Sequence, residues 1–172
     1  TVRQGPGGSS NIMRAYVPFK SASLFGVHQV DGTTENNLAW ASTDYANFQV
    51  LAVREKDFSK RAKFVLQGVG SSVFPTLTSG YFDDVYNDTQ WNFAVSVRPE
   101  KYPESDLVSG TDTPNYLIEF YGVEKVLDTT RNEFLLTSSV SNTDGRRFMA
   151  NPKSVFIGAH KTNFSGTLQQ RS

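Results

Sequence analysis

The chain has 172 residues, enough for one domain with a sizeable core. Lysine plus arginine equals aspartate plus glutamate at 17 each, so no charge excess favours nucleic acid or an anionic membrane. The absence of cysteine excludes disulfides and thiolate metal sites, and no apolar run approaches the ~20 residues of a membrane-spanning helix.

Residues 1–10 (TVRQGPGGSS) read as a glycine-rich leader or linker, and residues 11–172 as a single domain. An apolar run over 12–19 contains Pro18, which suits a sheet edge or strand end. A strand is expected over 24–30, then a polar loop, with Trp40 just beyond it. Residues 48–54 (FQVLAVR) form a strand whose hairpin partner is 63–69, joined by a charged turn. The serine-, glycine- and proline-rich 70s read as a connection, and 81–88 (YFDDVYND) as the lead into the next strand.

The period-two pattern is clearest over 91–99. There Trp91, Phe93, Val95 and Val97 alternate with Asn92, Ala94, Ser96 and Arg98. A long polar loop follows to Pro114. A strand over 116–121 is expected to end in a tight turn at Gly122-Val123-Glu124, with a short return over 125–127. Residues 134–140 alternate again. Asn142-Thr143-Asp144-Gly145 reads as a turn, with Arg146 and Arg147 at its solvated tip. The stretch 154–168 (SVFIGAHKTNFSGTL) reads as a strand–turn–strand corner that organises the fold. About ten short strands without a sustained helical period predict an all-β, antiparallel β-sandwich. Its expected core is Phe48, Val50, Phe64, Leu66, Trp91, Phe93, Val95, Ile118, Phe120, Phe134, Leu136, Val155 and Ile157.

The succession W-N-F-A-V-S-V, Y-L-I-E-F-Y-G-V-E, V-F-I-G-A and F-S-G-T-L, carried by Trp91, Gly122, Ile157, Gly158, Phe164 and Gly166, resembles the laminin-G-like or concanavalin A-like jelly roll. The resemblance covers about residues 48–168. It implies a further closing strand beyond Ser172, so the chain is expected to be part of a longer polypeptide. The longer segments are also similar to modules of this kind in structural proteins of large tailed bacteriophages. That similarity implies a virion surface, tail or fibre component, extracellular, serving assembly or host attachment beside other subunits. A secreted or cell-surface carbohydrate-binding module is the alternative, and a glycoside hydrolase the disfavoured one.

Chemistry is sparse. Glucanases of this fold need closely placed carboxylates, presented as E-x-D-x-x-E, and that pattern is absent. Glu119 and Glu124 are the nearest pair, and the expected turn at Gly122 separates them. His28 and His160 lack metal-site spacing, and no nucleophile elbow occurs, so no catalytic residue is assigned. Asp83, Asp84, Asn87 and Asp88 form the best oxygen cluster, a candidate calcium site whose simpler reading is a solvated turn. No other cofactor is expected. Trp40, Tyr81, Tyr86 and Tyr102 sit in or beside expected loops. They are candidates for stacking on sugar rings or, more simply, for plugging the sandwich ends. Asn87-Asp88-Thr89 and Asn163-Phe164-Ser165 match a glycosylation pattern that is common by chance.

Overall fold

A computed structural model of the chain describes residues 20–29, 47–68, 74–86, 89–101, 114–150 and 153–157. Eight strands and one helix occur among them: β1 (Ser21–Gln29), β2 (Phe48–Arg54), β3 (Ala62–Gly68), β4 (Leu77–Phe82), β5 (Gln90–Pro99), β6 (Tyr116–Val126), β7 (Thr129–Val140), α1 (Asn142–Ala150) and β8 (Lys153–Ile157). Five strands form one sheet in the order β4-β3-β2-β1-β8. The order in the second sheet is β5-β6-β7. Every pairing is antiparallel. The protein is an all-β sandwich, as its alternating apolar pattern predicts.

The two sheets meet through aromatic rings. Phe64 on β3 is 1 % exposed, and its ring centroid lies 4.7 Å from both Trp91 and Phe93 of β5. It lies 5.9 Å from Phe134 of β7, and Phe82 of β4 closes the cluster against Trp91 at 5.0 Å. Phe48, Val50, Leu66, Ile118 and Phe120 extend this core, with Trp91, Phe93, Val95, Phe134 and Leu136 packed against it. All are among the expected core residues. Val155 and Ile157 are not part of it: they are 65 % and 84 % exposed, because β8 lies beyond the three strands that cover the larger sheet.

Three expected turns are corrected. Residues 77–80, in the expected connection, and 81–82, in the expected lead into the next strand, form β4. The register between β3 and β4 shifts at Lys63/Val65. Ser79 Oγ accepts the Phe64 N–H at 2.8 Å there and donates to the Gly80 carbonyl. A hydroxyl thus replaces a ladder acceptor at a bulge, so Ser-Gly here marks an irregular strand rather than a loop.

Gly122 ends no strand. It sits inside β6, paired with Phe93 and Phe134 on either side. A Cβ at this position would stand 2.6 Å from Phe134 Cζ and 3.1 Å from Phe93 Cδ1. Glycine is required because both neighbouring rings fold over its backbone. The chain reverses instead at Leu127-Asp128, with φ of 48° and 62°. Two consecutive positive φ values give the tight hairpin turn whose twist suits antiparallel strands. Leu127 is 95 % exposed there, so its side chain avoids a packing clash at an unusual backbone geometry.

Residues 142–145 open a helix. Ser141 Oγ accepts the Asp144 N–H at 3.1 Å and donates to Asp144 Oδ2 at 2.7 Å. This S-x-x-D cap satisfies an orphan donor of the first turn. Gly145 lets the helix backbone rest on the Tyr116 ring, where a Cβ would collide. Phe148 on α1 reaches Phe48 and Phe74, at 5.8 and 5.5 Å between centroids. Arg146 and Arg147 therefore lie on a helix and not at a hairpin tip.

The apolar run over 12–19 and the second half of the 154–168 corner lie outside the described residues, apart from β8 itself. Replacing Gly122 with alanine is expected to destabilise the fold by about 1–3 kcal/mol through overpacking, measured as a lowered urea midpoint.

Candidate functional site

Two connections meet at one end of the sandwich: the β2–β3 turn over 55–61 and the turn over 83–86. A backbone bond from Tyr86 N–H to the Lys60 carbonyl, 3.3 Å, links them. Arg61 spans the junction. It bonds Glu55 Oε1 at 2.9 Å within its own turn and pairs with Asp83 Oδ1 at 3.1 Å in the other. The groups involved are exposed, so each pair alone contributes little. Their joint effect is to hold two sequence-distant turns in one arrangement.

Both described candidate tyrosines lie here, each beside cations. The Arg54 guanidinium carbon sits 3.9 Å from the Tyr86 ring centroid, covering one ring face. Tyr81 is 39 % exposed, with Arg61 and Lys63 each 5.5 Å from its centroid. Tyr81 is the penultimate residue of β4, beside the 83–86 turn that carries Tyr86. Trp40 and Tyr102 lie outside the described residues.

Behind this rim is Glu124, which the sequence places in an expected turn and the fold buries. Glu124 is 0 % exposed. Its Oε2 accepts a bond from Asn132 Nδ2 at 2.5 Å, and its Oε1 lies 3.6 Å from Arg131 NH1 without a hydrogen bond. Arg131 also approaches Asp84 Oδ2 at 3.9 Å, tying the 83–86 turn to the buried acid. Trp91 faces Glu124 across the β5–β6 ladder. Among the described residues its buried Nε1 has no hydrogen-bond partner. The available signal was parity: Tyr116, Ile118, Phe120, Gly122 and Glu124 share one face of an uninterrupted strand. Nothing local marks Arg131 or Arg61 as their partners.

Parity also separates Glu119 from Glu124. No turn intervenes; the two acids project from opposite faces of β6. Glu119, on the outer face, receives Arg98 in two parallel bonds of 3.0 and 3.2 Å. The Arg98 hydrogen bond lowers the Glu119 carboxyl pKa against a smaller opposing effect of burial, and Glu119 raises that of Arg98. This outer face also carries Tyr121, whose hydroxyl donates to Glu133, and the exposed Leu135.

Of the candidate calcium ligands, Asp83 and Asp84 adjoin but turn to different arginines, and Asp84 takes a φ of 57°. Asn87 and Asp88 lie outside the described residues. Among the described residues, no group of three or more acidic, histidine or cysteine side chains is placed to hold a metal ion. His28 pairs with Ser154 in the β1–β8 ladder, and His160 lies outside the described residues. No described helix is long and apolar enough to cross a membrane. A cavity of about 10 Å³ under α1, lined partly by Phe74, Val97, Ile118 and Phe148, holds at most one water. No protein-family model, curated protein or solved structure matches this chain.

Two outcomes test these charges. Arg131→Met leaves the buried Glu124 carboxylate without its cation. It should cost about 1–3 kcal/mol, and Glu124→Gln in the same chain should recover part of that loss in a double-mutant cycle of unfolding free energies. Arg98→Met should raise the Glu119 carboxyl towards its ordinary value in an NMR titration. Because Glu119 is lowered in the folded state, its contribution is present above the unfolded carboxylate pKa and lost as pH falls through the folded one. The stability gap between wild type and Arg98→Met should therefore narrow on acidification.

Proposed function

We propose that this domain is a non-enzymatic structural and adhesive module of a larger protein. The observation that carries the reading is the rim, where Arg61 and Arg131 clamp turns from distant parts of the chain and present Tyr81 and Tyr86 on a rigid sandwich end. Such a surface is already ordered before any partner arrives, which reduces the entropic cost of contact. The placement in a phage virion surface, tail or fibre, in contact with neighbouring subunits, rests on the similarity of the longer segments to modules of that kind, given above.

A carbohydrate-binding role is the second reading, favoured by Tyr81. Its ring is part-exposed with Lys63 and Arg61 alongside, a setting for a sugar that carries a carboxylate or sulfate. Tyr86 suits stacking less well, because Arg54 already occupies one of its faces. Hydrolysis is disfavoured. Glu119 is held as a carboxylate by Arg98, and the neighbouring Glu124 is buried on the opposite face, whereas acid and nucleophile must converge on one bond.

An array of neutral and acidic glycans, run beside a β-glucan turnover assay on the same preparation, tests the reading. Acidic-glycan binding that falls about tenfold in Tyr81→Ala, a loss of about 1.4 kcal/mol, establishes the adhesive role at the rim. Neither binding nor turnover leaves the assembly role. Turnover that disappears in Glu119→Gln overturns the proposal.

A further inference from the structure

Among the described residues, the strained backbone gathers at the rim. Phe58 takes a φ of 61° in the 55–61 turn, and Asp84 one of 57° in the 83–86 turn. Leu127 and Asp128 take 48° and 62° in the β6–β7 turn. Aspartate tolerates the left-handed region, whereas a bulky side chain there is an outlier that costs backbone energy. Packing does not offset that cost for Phe58 or Leu127, which are 75 % and 95 % exposed. The chemistry of a tight hairpin favours Asn-Gly or Asp-Gly at its two central positions, not Leu-Asp. Strain held at exposed tips is a feature of contact surfaces. The tips are also fixed relative to each other. Arg61, which closes the Phe58 turn, pairs with Asp83 at 3.1 Å, and Arg131, just beyond Asp128, approaches Asp84 at 3.9 Å. Two adjacent aspartates thus tie both tips to the turn between them.

We infer that these two tips form a two-fold contact with a second copy of this chain, Phe58 of each copy packing on Leu127 of the other. Charge is the argument for this occupant. Each tip carries a base, an acid and an apolar group, all exposed: Lys56, Asp57 and Phe58 on one, Lys125, Leu127 and Asp128 on the other. In an isologous contact every pairing forms twice. With Phe58 on Leu127, Asp57 faces Lys125 and Asp128 faces Lys56, so a single arrangement matches both apolar groups and both signs of charge. The chain's charges balance at 17 of each sign, so no long-range repulsion opposes the approach of two copies. A lipid surface fits less well. Asp57 and Asp128 adjoin the apolar tips, where anionic headgroups repel them and insertion strips their water. The contact is small, so a reversible dimer with a Kd on the order of 100 µM is expected. It rests on the ordered rim of the preceding reading but not on sugar binding, so a glycan array without signal leaves it standing.

Sedimentation equilibrium of the full chain, from about 10 µM to about 1 mM, reads the association directly. The mass should rise reversibly towards two copies. Phe58→Asn and Leu127→Asn should each weaken association about tenfold or more. Their thermal midpoints should stay level or rise, because asparagine accepts the left-handed region more readily than phenylalanine or leucine. Leu135→Asn, on the outer face of the smaller sheet, controls for exposed apolar surface in general and should leave association unchanged. Asp57→Lys and Lys125→Asp should each weaken the dimer, and the two combined in one chain should restore it. A monomer at every concentration overturns the inference. So does association that neither tip variant weakens, that Leu135→Asn weakens equally, or that the charge exchange fails to restore. Midpoints lowered by about 3 °C or more in both tip variants show that these side chains are covered within their own chain, and overturn it too. Monomer captured on mixed phosphatidylcholine and phosphatidylserine vesicles, with capture abolished by Leu127→Asn, assigns the tips to a lipid surface instead.

Discussion

The fold depends on one ring and what surrounds it. Phe64 is the side chain through which β3 meets β5 and β7, and its near-complete burial means that both sheets are shaped to it. The rings of Trp91, Phe93, Phe134 and Phe82 fill the space between the layers at tilted and stacked angles, where a large apolar area is buried with few rotatable bonds. Several local choices follow from this cluster. Gly122 carries no side chain because two of these rings need its place. Ser79 satisfies the Phe64 amide because the neighbouring strand bulges there.

The rim inherits its order from that core. Trp91 is both a member of the ring cluster and the cross-strand neighbour of Glu124, and Glu124 holds Arg131, which reaches the 83–86 turn. A buried carboxylate is a weak source of net stability, since its desolvation offsets much of its attraction to a cation. Its value here is positional. One buried charge specifies where a long, flexible arginine goes, and that arginine positions a surface turn. Tyr81 and Tyr86 stand on that turn and the strand leading into it, so the rim lies a few residues from the ring cluster.

Much of this architecture is legible in the residues alone. The bounds of β2 match its apolar pattern, and the alternation from Trp91 to Val97 identifies β5 and its core face. The misread turns share one cause: Gly, Ser, Asn and Asp are turn formers by type, and here tertiary contacts employ them otherwise. Gly122 and Gly145 are small because Phe134 and Tyr116 press on them, and nothing in the local sequence reveals a ring from another strand. Ser141 and Asp144 did carry a local signal, the spacing of a helix cap, but the Asn-Thr-Asp-Gly run masked it. Val155 and Ile157 read as core because their residue types fit a buried strand. Which strands lie opposite them is a property of topology. At the site, Tyr81, Tyr86, Asp83 and Asp84 were identifiable by type, whereas their arginine partners come from strands and turns that only the fold brings near.

The pairing of β8 with β1 carries a kinetic consequence. These strands come from opposite ends of the described residues, and every other described strand lies between them in sequence. Bringing them together restricts a very long loop before any compensating contact forms, whereas the hairpins β2–β3 and β6–β7 close over a few residues. Local hairpins therefore assemble early, and the β1 edge waits for the last described strand to emerge from the ribosome. During that interval the edge of β1 lacks its β8 partner and is a template on which a strand of another chain can pair.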